Sequence, residues 1–146
     1  MKQYVVLLFV LLFAYSVSGC SNGATASPTG ALIVEDQASL LAALQAAGAT
    51  VNVGDAVIQD FFSPEGQIIT VNGADIQVFE YESAEVMESE AALVAPDGGS
   101  IGTSMVTWMD APHFYKAGRM IVLYVGGDSA ILDLLENVIG PQFAGQ

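Results

Sequence analysis

Apolar positions in this chain recur first every three to four residues and then every second residue, and the changes of period mark its elements. Leu40, Leu41, Leu44 and Ala47 share one helical face behind Asp36, whose carboxylate suits an N-cap, and Gly48 ends the turn. β-rich runs follow at 50–53, 56–58 and 67–71, with Pro64 to Gly66 breaking the middle. Asn72-Gly73 lies between two such runs, and a type I′ turn needs positive φ at both central positions. Residues 67–71 are therefore predicted to pair with 75–82 as a hairpin. Ser83 has the chemistry of a second N-cap, for a helix through Val94 whose Met87, Ala91 and Val94 form an apolar stripe while Glu85, Glu88 and Glu90 face water. Pro96 to Gly99 closes it. Strands are predicted over 101–108 and 119–125, joined by a loop. Asp128 or Ser129 opens a last helix with Ile131, Leu132, Leu135 and Val138 inward, and Gly140-Pro141 stops it. The tail from Gln142 to Gln146 is expected to fold back by burying Phe143.

Helix, strands, helix, strands, helix with short connections is the order of an α+β domain. The expected architecture is an antiparallel-rich sheet of about five strands with about three helices packed mainly on one face.

A third pattern precedes these elements. Tyr4 to Tyr15 is an unbroken apolar run behind Lys2 and ahead of small residues, the order of a secretory signal. Twelve residues are too few to cross a bilayer, which takes about 20. Val17-Ser18-Gly19-Cys20 resembles the lipobox of bacterial lipoproteins. The resemblance implies a diacylglyceryl thioether on Cys20, cleavage on its amino side, and a cell-membrane anchor on the extracytoplasmic face. Ser21 is not the aspartate associated with inner-membrane retention, so outer-membrane sorting stays open. The bland alternative is an ordinary secretory signal with an incidental cysteine. On the lipoprotein reading, residues 1–19 are the signal peptide, 20–34 the lipidated cysteine and a flexible tether, and 35–146 a single globular domain. The tether is small, polar and broken by Pro28, and extended it reaches about 45 Å at about 3.3 Å per residue.

Charge narrows the partners. Removing residues 1–19 takes Lys2 away and leaves Lys116 and Arg119 against 16 carboxylates, a formal charge of −14. Nucleic acid needs a basic patch that releases counterions and is excluded as a partner. Anionic head groups are disfavoured as well, so anchoring must rest on acyl chains, each buried methylene contributing about 0.8 kcal/mol. With Cys20 lipidated no thiol remains for a disulfide, and the domain must be held by packing alone. The acidic excess is read as a solubility device, with salt adaptation the alternative.

The inventory for catalysis is small. His113 is the only histidine, no Gly-x-Ser-x-Gly elbow occurs, and one histidine without a free cysteine cannot supply a zinc site. No cofactor or metal is expected. The pair Glu80/Glu82 and the trio Glu85/Glu88/Glu90 fit solvated faces. The unusual segment is 107–119, which holds Trp108, His113, Tyr115, Lys116 and Arg119: the only Trp, the only His and both cations of the mature chain. Such a cluster is the one local patch suited to an envelope protein or a small anionic ligand, with aromatic contact area and a guanidinium fork. The competing reading is a long hairpin loop in which Trp108 and Phe114 fill the core and the cations pair with nearby carboxylates.

The stretch from Leu40 to Gln146 contains Gln45 to Val51, Ile76 to Tyr81, Pro112 to Tyr115, Ile121 to Val125 and the closing Gly140 to Gly145. It resembles the folded part of small, mostly uncharacterised bacterial lipoproteins. That resemblance implies no activity, and only the lipidated cysteine, Cys20, carries over as a site. The expectation is a non-enzymatic, lipid-anchored envelope domain that binds a protein or a ligand. The alternatives are a hydrolase-like enzyme using carboxylates and an envelope protein without a specific ligand.

Overall fold

Three helices and eight strands make up residues 32–146, the part of the chain described by the computed structural model. The lipobox, Cys20 and most of the expected tether lie outside the described residues. Among the described residues no helix is long and apolar enough to cross a membrane.

The first helix, α1 (Gln37–Ala46), starts where its capping chemistry places it. Ser39 N donates to Asp36 Oδ1 at 2.9 Å while Asp36 N donates back to Ser39 Oγ at 3.0 Å, a reciprocal capping box. Donation from Ser39 N, and then from Ser39 Oγ, to the Asp36 carboxylate holds it below the ordinary carboxylate range. Leu40, Ala43 and Leu44 are the buried face, with Ala43 in the inward place expected of Ala47, and Gly48 at φ +90° follows the helix. The chain enters the core earlier than its composition suggests, because Val34 is already buried among the residues of α1.

A meander of β1 (Val51–Val57), β2 (Gly66–Val71) and β3 (Ala74–Glu80) comes next. The runs 50–53 and 56–58 are one strand, β1, whose register against β2 shifts between Val53 and Ala56. Asn72 at φ +51° and Gly73 at φ +94° close the β2–β3 hairpin with Val71 opposite Ala74, the type I′ pattern.

Helix α2 (Ala84–Ala91) is capped by Ser83, which accepts from Val86 N, and it ends three residues before Val94. Val94 instead bridges to Ile101 as the chain turns into a small hairpin of β4 (Ser100–Ile101) and β5 (Ser104–Met105). This hairpin replaces the strand expected over 101–108. Gly102 at φ +58° turns the chain back after Ile101.

The larger departure is β6 (Pro112–Ala117), a strand in the stretch read as a loop. It pairs with β7 (Met120–Val125) through the two-residue connection Gly118-Arg119. A glycine at positive φ in the first position is the pattern of a type II′ turn. Pro112 is tolerated because it stands first in the strand. After α3 (Ser129–Ile139), capped by Asp128, the tail returns as β8 (Ala144–Gly145) along β6. Ala144 is its buried residue, and Phe143, expected inside, is half-buried.

One six-stranded antiparallel sheet results, in the order β1-β2-β3-β7-β6-β8. Side chains alternate between its faces. Ile76, Val78, Met120, Val122 and Tyr124 pack under α1 and α3, while Phe79, Phe114, Ile121 and Leu123 pack under α2 and the β4–β5 hairpin. Two helices therefore share one face and the third covers the other.

The β6–β7 turn is fitted against the entry to α1. Arg119 N donates to Glu35 O at 3.0 Å, and a Cβ on Gly118 would stand 2.2 Å from that same carbonyl oxygen. Gly73 also has positive φ but faces open space. Gly73→Ala is expected to cost about 1 kcal/mol in strain alone, and Gly118→Ala about 3 kcal/mol or more because backbone must also move. Urea unfolding of both variants checks the difference, and equal midpoints would contradict it.

Candidate functional site

Strand alternation decides where the three candidate residues on β6 point. His113 and Tyr115 face α3, whereas Phe114 and Lys116 face α2. The residues that read as one patch in the sequence are thus divided between opposite sides of the sheet.

On the α2 side, Trp108 is half-buried and packs edge-on against Phe61 and Phe114, with its indole N–H donating to Gly98 O at 2.7 Å. Lys116 pairs with Glu88 of α2 and lies 5.4 Å from the centre of the Phe143 ring. Glu90, expected in water, accepts from Tyr81 Oη and from Ser63 N, both at 3.1 Å. Burial, with that carboxylate beside it, raises the Tyr81 phenol far above its ordinary range.

Arg119 sits at the β6–β7 turn, where its Nη2 pairs with Glu80 Oε1. The other oxygen of Glu80 accepts from Gln37 N at 3.0 Å, one of the open donors at the start of α1. Glu80 thus ties β3, the β6–β7 turn and α1 together. A notch of about 340 Å³ beside this knot is lined by Glu35, Asp36, Ala84, Gly118 and Arg119. Both cations of the folded domain pair with carboxylates, and Arg119 Nε is buried without a hydrogen-bond partner.

On the α3 side a different site is formed. His113 is 5% exposed and stacks on Tyr124 with 6.0 Å between ring centroids. Its Nδ1 lies 2.8 Å from Gln142 Oε1. An amide oxygen only accepts, so with this amide orientation the ring carries its proton on Nδ1. In the neutral ring Nε2 is then the acceptor, and it is buried without a hydrogen-bond partner. His113 lines a notch of about 360 Å³ with Tyr115, Leu132, Asp133, Glu136, Pro141, Gln142 and Gln146. Burial first, then the Glu136 carboxylate and Tyr124, raise the Tyr115 phenol, so it stays a neutral hydroxyl.

Of the expected residues, His113 and Tyr115 are in this notch, and Trp108, Lys116 and Arg119 are not. Asp133, Glu136 and Gln142 were missed by sequence reasoning. The available signal was the i, i+3 spacing of Asp133 and Glu136 on one side of α3, next to a tail expected to fold back. Among the described residues no three His, Cys, Asp or Glu side chains are grouped to hold a metal ion.

No protein-family model, curated protein or solved structure matches the chain.

Two predictions separate fold from site. His113→Leu is expected to leave stability within about 1 kcal/mol of wild type or to raise it, because it removes a buried acceptor that lacks a partner. A loss of several kcal/mol in chemical denaturation would make the imidazole a structural element instead. The second concerns Asp36, whose lowered folded pKa contributes stability above its unfolded value of 3.8 that fades as pH falls through the folded value. Asp36→Ala should therefore be destabilised near neutrality, with the gap to wild type narrowing in acid thermal melts.

Proposed function

We propose that the chain is a bacterial lipoprotein: a domain anchored in the cell envelope through acylated Cys20 that binds a small ligand or a single side chain in the notch beneath α3. The anchor is supported by Lys2, the apolar run from Tyr4 to Tyr15 and the sequence Val17-Ser18-Gly19-Cys20. The observation that carries the binding reading is His113, nine-tenths buried at a notch wall with one ring nitrogen unpartnered. Buried polar atoms are normally satisfied, and a small pocket with a few convergent polar groups is the usual form of a ligand site.

A second reading, contact with an envelope protein, is favoured by one observation. Met105 in β5 and Met109 are almost fully exposed, and Leu93 beside the hairpin is 52% exposed. Exposed methionines on the hairpin and in the segment just after it suit an adaptable protein contact.

Two measurements test the proposal. Labelled palmitate should enter the wild-type chain and not Cys20→Ser; equal labelling of both refutes the anchor. His113 is the only histidine, so its imidazole gives one set of ring resonances in the full chain. At least one member of a chemically diverse small-molecule panel should move them saturably. If every compound leaves them unchanged while a protein crosslinks to the 93–109 surface, the second reading replaces the first.

A further inference from the structure

The groups around the notch accept hydrogen bonds or carry negative charge, and this sets what can enter. In the neutral ring, with Nδ1–H of His113 given to Gln142 Oε1, Nε2 is left as an acceptor without a donor. Asp133 and Glu136, one helical turn apart on the exposed side of α3, have no hydrogen-bond or ion-pair partner among the described residues. The cations that might have filled the place, Lys116 and Arg119, are held elsewhere by Glu88 and Glu80. Leu132 and Pro141 add a short apolar wall. Gln142, exposed at the rim, donates to Gln146 O across 3.5 Å, a long bond.

We propose that the notch binds an organic cation bearing N–H bonds, a primary ammonium or a guanidinium, which donates to His113 Nε2 while Asp133 and Glu136 hold its charge. This rests on the notch reading above and names the ligand class for it. An anion would meet two carboxylates with no cation free to offset them, and a neutral donor would satisfy Nε2 but leave the carboxylates unused. The acidic field of the chain raises the local concentration of any cation. The buried acceptor selects among cations, because a quaternary ammonium has no N–H to give. The same chemistry can come from a free amine or from a lysine side chain of a partner.

The test uses the full chain in detergent, labelled with nitrogen-15 at its single histidine. n-Butylammonium is titrated at fixed pH and ionic strength, with tetramethylammonium, acetate and glucose in parallel. The expected result is a saturable shift of the Nε2 resonance with n-butylammonium below roughly 10 mM, within the range of weak specific binding. Tetramethylammonium should give none, and Asp133→Asn with Glu136→Gln should weaken binding at least about fivefold, as expected when charged hydrogen-bond partners are lost. An equal response to tetramethylammonium overturns the proposal, as does an affinity unchanged in the double variant. A saturable shift with acetate or glucose alone overturns the cation while leaving the notch reading standing. No shift with any probe overturns both. A lysine-containing peptide that saturates at lower concentration than n-butylammonium supports the proposal and assigns the cation to a protein side chain; the reverse order supports it with a free amine.

Discussion

Burial of β7 on both of its faces is the constraint on which the rest of the structure depends. Met120 to Tyr124 are all buried, alternating between two hydrophobic clusters separated by the thickness of one sheet. A strand of this kind cannot leave either face to water, so helices must cover both, and neighbours must pair with both edges. β3 and β6 supply the pairing; α1 and α3 close one side, α2 and the β4–β5 hairpin the other. β6 must in turn be covered, which is the role of the tail. Phe143 N bonds to Phe114 O at 2.8 Å and Gln146 N to Pro112 O at 3.1 Å, and the same return carries Gln142 to the His113 ring.

Electrostatics follows from this packing. A domain with two cations and 16 carboxylates has little freedom in spending the cations, and both serve as ties between elements. Glu80 is the more structural of the two carboxylates, since it links a helix N-terminus to the turn that ends β6. Lys116 with Glu88 is half-exposed and belongs with surface pairs worth little individually. What remains is an acidic surface screened beyond about 8 Å at physiological ionic strength, so charge alone recruits cations without discriminating among them. Discrimination has to come from a desolvated group, and His113 is the candidate because its neighbours fix which nitrogen is free.

The helices and the β2–β3 hairpin were legible because their signals are local. Asp36, Ser83 and Asp128 are caps whose partners lie two or three residues on, and Asn72-Gly73 fixes a turn by itself. β6 was not legible, because Pro112, His113 and Lys116 look like loop residues, and only pairing with β7 makes them a strand. Even so, the unbroken apolar run from Met120 to Val125 carried a warning: a strand open on one face alternates, and this one does not. The candidate site suffered from the same nonlocality. Five residues adjacent in sequence were read as adjacent in space, but period-two alternation sent His113 and Lys116 to opposite sides, and the partners of His113 came from positions 133 to 146.

The cost of keeping a histidine in this place bears on what the domain does. Leucine or phenylalanine at position 113 would pack against Tyr124 and fill the same layer without a polar atom to desolvate. Stability alone therefore favours the apolar residue, by about 1–3 kcal/mol for a buried acceptor with no partner. The ring retains its hydrogen bond to Gln142, but that amide is exposed and water would satisfy it equally well, so the bond offsets little of the penalty. Glu80, by contrast, satisfies a helix donor and a guanidinium at once, and its burial is explained within the fold. Folding accounts for Lys116, Trp108 and Tyr81 through the groups they touch, and for Arg119 through its Nη2, although Arg119 Nε is buried without a hydrogen-bond partner. It does not account for Nε2 of His113, and on the proposed reading a bound donor at the wall of the notch satisfies that acceptor.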